Sequence, residues 1–67
     1  MMNLINNSRE PQSLEECNSL LAKMDIYSLQ KGYISRTNSG IDLYILPCHK
    51  AEATITKSEI LKIKSKL

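Results

Sequence analysis

A strong β-hairpin signal occupies the middle of the chain, over residues 32–46. Two runs rich in strand-forming residues flank the tripeptide Asn38-Ser39-Gly40, which is typical of a tight turn. An isolated hairpin is at best marginally stable in water, so the rest of the chain has to cover it. The 67 residues suffice for one small domain, and a domain of this size buries only about 60% of its unfolded surface.

The turn allows two registers for the hairpin. A three-residue loop over residues 38–40, with glycine in the left-handed region, places Arg36 opposite Asp42. Opposite charges across two strands contribute roughly 0.2–1 kcal/mol and favour this register, but the sequence alone leaves both registers open. With the three-residue loop, the core face would hold Tyr33, Ser35, Thr37, Ile41, Leu43 and Ile45. A two-residue loop would instead bring Ile34 onto the apolar face of the second strand.

A capping box predicts a helix before the hairpin, beginning at Ser13-Leu14-Glu15-Glu16. An apolar stripe at helical spacing supports this prediction. The stripe consists of Leu14, Cys17, Leu20, Leu21 and Met24. The stripe breaks after Met24, so the helix either kinks near Asp25 or gives way to a second short helix, with a strand over 25–29 as a further alternative. Gly32 is expected to end the helical segment.

A second capping box, Thr56-Lys57-Ser58-Glu59, predicts a helix from Lys57 to about Lys66. Ile55 and Ile60 flank it at the spacing of a hydrophobic staple. The face toward the core would hold Ile60, Ile63 and Leu67. Residues 52–55 have the composition of a short third strand. We therefore predict an α+β fold with a flexible arm over 1–12 and a single domain over 13–67.

Charge and apolar content restrict the classes of function. The net charge is +2, and the chain has no Trp and no Phe, so its core must rely on Ile, Leu and Met. A homodimer that shares its core is one way to stabilise such a chain.

No apolar run reaches the roughly 18 residues of a membrane span. The first residues do not have the pattern of a signal peptide, and we expect a cytoplasmic protein without a membrane partner.

The spacing of the reactive residues does not indicate an active site or a metal site. Cys17, Cys48 and His49 do not form the paired units of a structural zinc site. Cys48 and His49 are adjacent, so they would point in opposite directions from an extended backbone and do not suit a nucleophile–base pair. Glu15 and Glu16 serve the helix cap. We predict no enzyme activity and no metal or cofactor.

A partial resemblance covers about residues 29–46. The segment reads Leu29-Gln30-Lys31-Gly32-Tyr33-Ile34-Ser35-Arg36, followed by Gly40 and Tyr44-x-Leu46. It resembles the wing of winged-helix DNA-binding domains. In those domains a glycine turns the chain out of a helix, and the hairpin loop contacts the DNA backbone. The resemblance implies that four residues face phosphate groups: Arg36, Thr37, Asn38 and Ser39. The residues before Ser13 are too few for the helices that precede the recognition helix in those domains.

Two hypotheses for function follow. The first is a protein-binding module, such as an inhibitor or adaptor that phages or mobile elements encode against a host protein, with Tyr27, Tyr33 and Tyr44 at the interface. The alternative is a small regulator with a reduced winged-helix-like fold that binds duplex DNA. In that case the wing would be joined by four lysines of the last helix: Lys57, Lys62, Lys64 and Lys66. The low net charge favours the protein-binding module.

Overall fold

The computed structural model describes residues 9–67. Two helices and three strands follow one another in this part of the chain. They are α1 (Leu14–Ile26), β1 (Lys31–Thr37), β2 (Gly40–Tyr44), β3 (Ala53–Thr56) and α2 (Lys57–Lys66). The predicted α+β class, the hairpin, the third strand and the two flanking helices are thereby confirmed. Residues 1–8 of the predicted arm lie outside the described residues.

The strands form one antiparallel sheet in the order β2-β1-β3. Both helices cover the same face of this sheet. The buried core between the layers consists of Cys17, Leu20, Met24, Ile34, Leu43, Ile55 and Ile60. No aromatic side chain belongs to it. In the described part of the chain, neither helix is long and apolar enough to cross a membrane.

The hairpin adopts the register of the two-residue loop. Thr37 lies opposite Gly40, and Ile34 lies opposite Leu43. Of the two registers left open, the one favoured by the charge pair, with Arg36 opposite Asp42, is therefore not adopted. Cross-strand attraction between two exposed charges is worth less than the burial of Ile34 and Leu43 on one face, about 1.5–3 kcal/mol for each side chain. The expected need for glycine at the turn is confirmed, because Gly40 has a φ of +132°.

The faces of β1 are consequently the reverse of those predicted, whereas the faces of β2 are as predicted. Tyr33, Ser35 and Thr37 lie on the side away from the helices, and Ile41 and Leu43 lie on the helix side with Ile34. Asp42 stays on the outer face, where it lies opposite Ser35 instead of Arg36.

Helix α1 ends at Ile26, and neither a second helix nor a strand lies between it and the start of β1 at Lys31. The amide of Leu29 donates to the carbonyl of Met24 and the amide of Ser28 donates to that of Asp25. These two bonds define a Schellman motif, and its left-handed position is occupied by Ser28 with a φ of 54°. Ser28 therefore ends the helix, and the prediction of Gly32 for this role is wrong.

Gly32 has a different role, inside strand β1. A β-carbon at this position would collide with the side chain of Leu43 and would lie 3.4 Å from the terminal carbon of Met24. The missing side chain lets α1 and β2 approach the start of β1. A glycine in a strand often marks such a close approach.

The two capping boxes differ in completeness. At α2 both reciprocal bonds between Thr56 and Glu59 form, and the staple residues Ile55 and Ile60 are both buried. At α1 the Ser13 hydroxyl accepts from the Glu16 amide, but the Glu16 carboxylate accepts from the Gln12 amide instead of that of Ser13. Two apolar residues expected to face the core, Leu14 and Leu67, are exposed.

Glu16 joins α1, β1 and the segment before the helix. Its carboxylate accepts two bonds from the Arg36 guanidinium, with Oε1–Nη2 at 2.8 Å and Oε2–Nη1 at 3.2 Å. Arg36 also donates to the Glu10 carbonyl, at 2.7 Å from Nη2. Pro11, which lies between Glu10 and Gln12 in the chain, is buried. Residues 9–12 of the predicted arm therefore lie against the domain.

The first prediction concerns the end of α1. Because Ser28 adopts a left-handed conformation, we expect Ser28→Gly to raise the free energy of unfolding by about 0.5–1 kcal/mol. Urea unfolding followed by circular dichroism measures the change. Ser19→Gly is the matched control, since Ser19 is exposed within the same helix and should lose about 0.5 kcal/mol. A loss of stability in both variants would contradict this account of the helix end.

The second prediction concerns Glu16 and Arg36, whose side chains are 23% and 17% exposed. Hydrogen bonds from Arg36 lower the pKa of Glu16 below its ordinary value of 4.5. The stability that this carboxylate contributes is therefore complete above pH 4.5 and is lost as the pH falls through the lowered pKa. At pH 7 we expect Glu16→Gln to lower the free energy of unfolding by roughly 1–3 kcal/mol.

Denaturant unfolding at pH 7 and at pH 3 checks this prediction, and the difference between the two proteins should shrink in acid. Glu15→Gln provides the control, because Glu15 is an exposed neighbour in the same turn and should change stability by less than about 0.5 kcal/mol. Equal losses for both substitutions would contradict the role given to Glu16.

Candidate functional site

Two of the three tyrosines line one groove at the end of β2, and the third lies across the strands from one of them. Tyr33 in β1 lies directly opposite Tyr44, the last residue of β2. Tyr44 and Tyr27, which follows α1, line the same groove. We call this region the tyrosine surface, and it consists of Tyr27, Tyr33, Tyr44, Ile45, Leu46 and Pro47.

The groove within this surface is open and apolar, with a volume of about 440 Å³. Its lining consists of Lys23, Tyr27, Leu43, Tyr44, Ile45, Leu46, Pro47 and Cys48. Lys23 is the one charged residue among them. Its ammonium group donates to the Leu43 carbonyl at 2.9 Å, so α1 is tied to the second strand at this point.

Apolar side chains are exposed around the groove. Leu46 is 73% exposed, Tyr27 51% and Ile45 37%. Single exposed apolar residues are common on proteins, whereas a contiguous group is a candidate for an interaction surface. Here Ile45 and Leu46 follow each other directly, and Pro47 extends the group.

The outer face of the sheet adds polar groups beside the tyrosines. The Ser35 hydroxyl donates to Glu52 at 3.0 Å, and Arg9 forms an ion pair with the same carboxylate group at 3.3 Å. Desolvation raises the pKa of the Tyr44 hydroxyl, and the negative charges of Asp42 and Glu52 add to the rise. Tyr44 therefore remains protonated at neutral pH and can donate a hydrogen bond to a partner. The Lys31 ammonium lies 6.0 Å from the centre of the Tyr33 ring.

Arg36, the leading residue of the DNA hypothesis, lies on the helix side of the sheet. Its guanidinium is bound to Glu16 and Glu10 rather than presented at the wing. Thr37, Asn38 and Ser39 are exposed at the hairpin turn, where the Thr37 hydroxyl donates to the Gly40 carbonyl.

The predicted lysines of α2 do not form one surface. Lys57 makes an ion pair with Asp25 at 2.8 Å. Lys64 is half-buried, whereas Lys62 and Lys66 are exposed. The geometry thus disperses the positive charge that a phosphate backbone would need.

The cysteines do not pair. Cys17 is buried in the core, as predicted, and burial raises the pKa of its thiol. Cys48 is exposed at the rim of the groove. Over residues 9–67 there is no group of three or more His, Cys, Asp or Glu side chains that could hold a metal ion.

Two features of the groove were not among the predicted contacts. Lys23 is the first, and its side chain reaches across to β2. Ile45 and Leu46 were expected to continue the second strand, but that strand ends at Tyr44. Pro47 limits the strand, because proline has no N–H group to donate to a neighbouring strand.

Comparison of the chain with protein families, with curated proteins and with solved structures gives no match. The resemblance of residues 29–46 to a DNA-binding wing stays a prediction.

We expect the protein to give no saturable binding in a titration with duplex DNA at low salt, because Arg36 and Lys57 are already held by carboxylates. Fluorescence anisotropy of a labelled duplex measures this. Binding that weakens steeply with salt would contradict the expectation. In that case Lys62→Ala and Lys66→Ala, two exposed positions, would show whether α2 contacts the phosphates.

Proposed function

We propose that this protein is a small, non-enzymatic protein-binding module that acts through the tyrosine surface as an inhibitor or adaptor. The observation that carries the proposal is the position of the aromatic residues. Tyr27 and Tyr44 line one groove and Tyr33 lies opposite Tyr44 on the adjoining outer face, in a chain that has no Phe and no Trp.

This placement is difficult to explain by stability alone. Aromatic side chains bury large areas and are valuable in a small core. Here the core is built from aliphatic and sulphur-containing residues, while Tyr27 is half exposed. At protein interfaces, in contrast, tyrosine is among the residues that contribute most to binding energy. Aliphatic neighbours such as Ile45 and Leu46 provide the apolar surround for such residues.

The alternative, a DNA-binding regulator, has less support. Its main residue, Arg36, stabilises the fold through Glu16, and its lysines are dispersed. The proposal includes a cytoplasmic location, in keeping with a free thiol at both Cys17 and Cys48.

The proposal is tested by photo-crosslinking in a lysate of the source organism. A benzophenone amino acid replaces Leu46, in the centre of the exposed apolar group. We expect one discrete adduct, which mass spectrometry identifies as a stoichiometric partner. The double substitution Tyr27→Ser and Tyr44→Ser should abolish this adduct, because it removes the aromatic contacts on both sides of the groove.

Leu61 provides the matched control position. It is an exposed leucine, 50% accessible, on α2 and outside the groove. The same crosslinker at Leu61 should give no discrete adduct. Equal adducts from both positions, or an adduct at Leu46 that survives the tyrosine substitutions, would contradict the proposed surface.

A further inference from the structure

We propose that the groove binds an acidic amphipathic helix of the partner, with apolar side chains on the tyrosine surface and a carboxylate at Lys23. This inference rests on the proposed function and adds the chemical class of the partner. Two observations support it. The groove contains one charged side chain, Lys23, and the same side chain occupies a backbone carbonyl at the free edge of β2.

The groove contains one charged side chain. Of its eight lining residues, Lys23 carries the sole formal charge at neutral pH, and the others are apolar, tyrosine or cysteine. A cation surrounded by apolar surface interacts more strongly with a carboxylate than a fully solvated one does. The complementary ligand therefore has apolar side chains with an acidic group beside them.

Lys23 is also held in position. One of its three N–H groups donates to the Leu43 carbonyl, which leaves two for a ligand. The side chain is exposed, so these donors can be reached from solvent. Because one hydrogen bond already orders the side chain, the entropy cost of forming an ion pair with a partner is reduced.

The edge of β2 decides the form of the partner. The Ile34 carbonyl accepts from the Glu52 amide on the β3 side, so Ile34 does not bond with Leu43 opposite it. The Leu43 carbonyl therefore points out from the free edge of β2, where Lys23 occupies it. A lysine at this position blocks the addition of another strand. A helix that inserts side chains into the groove does not need that carbonyl.

A second copy of this chain is less complementary. In a twofold symmetric dimer the same surface meets itself, so the two Lys23 ammonium groups would approach each other. The nearby carboxylates, Asp42 and Glu52, lie on or beside the outer face of the sheet rather than in the groove. The geometry therefore favours a different chain that supplies the carboxylate.

Two synthetic helical peptides test the inference. One carries leucine at i, i+3, i+4 and i+7 with glutamate at the remaining positions, and the other carries lysine in place of glutamate. The full chain, labelled with ¹⁵N, is titrated with each peptide. We expect the acidic peptide to bind about tenfold more tightly. Its amide shifts should be confined to the groove residues.

Substitutions at Lys23 separate charge from structure. Lys23→Gln keeps a donor for the Leu43 carbonyl and should weaken the acidic peptide, while Lys23→Glu should reverse the preference between the peptides. Lys62→Glu is the control, because Lys62 is exposed outside the groove, and it should leave binding within about twofold of the original protein. A thermal melt of each variant confirms that it is folded.

Several results would overturn the inference. They are no saturable binding of the acidic peptide, equal binding of both peptides, or shifts outside the groove. Sedimentation that shows a dimer lost on Leu46→Ser would assign the groove to a second copy instead. If Lys23→Glu leaves the Leu46 crosslink intact while the tyrosine substitutions abolish it, the partner uses the surface but is not acidic. That result would spare the proposed function and reject this inference alone.

Discussion

The burial of Ile34 against Leu43 beneath the helices is the interaction on which the rest of the structure depends. It selects the two-residue loop and thereby decides which residues of the hairpin face inward. Arg36 then points toward α1 and meets Glu16, and Gly32 lies where Leu43 needs space. The same register places Tyr33 opposite Tyr44 on the outer face. One apolar contact therefore determines both the internal ion pair and the candidate site.

The distribution of apolar residues reflects two demands on a small chain. The core is small and aliphatic, and both helices and all three strands contribute to it. At the same time Tyr27, Ile45 and Leu46 remain accessible at one end of the sheet. A chain with so few large side chains would gain stability by burying them, and their exposure is the basis of the proposed binding surface. Lys23 adds the one formal charge of the groove, on which the proposed preference for an acidic partner rests.

Local signals predicted the elements well. The hydroxyl and glutamate pairs at Ser13 and Thr56 predicted where both helices begin, because N-terminal capping depends on residues within a single turn. The end of α1 was predicted wrongly, since serine at position 28 is a less common left-handed residue than glycine. The hairpin was predicted from its turn residues, but not its register, because the charge pair Arg36–Asp42 was given more weight than the burial of Ile34.

Spacing and residue type were enough to predict the α+β class, the approximate elements and the tyrosines as candidate contacts. Three pairings depend on the tertiary packing: Arg36 with Glu16, Lys23 with the Leu43 carbonyl, and Tyr27 with Tyr44 in one groove. These pairs join residues about twenty positions apart, or residues on different elements. Their proximity is determined by the packing of helices on the sheet, and no local pattern records that packing.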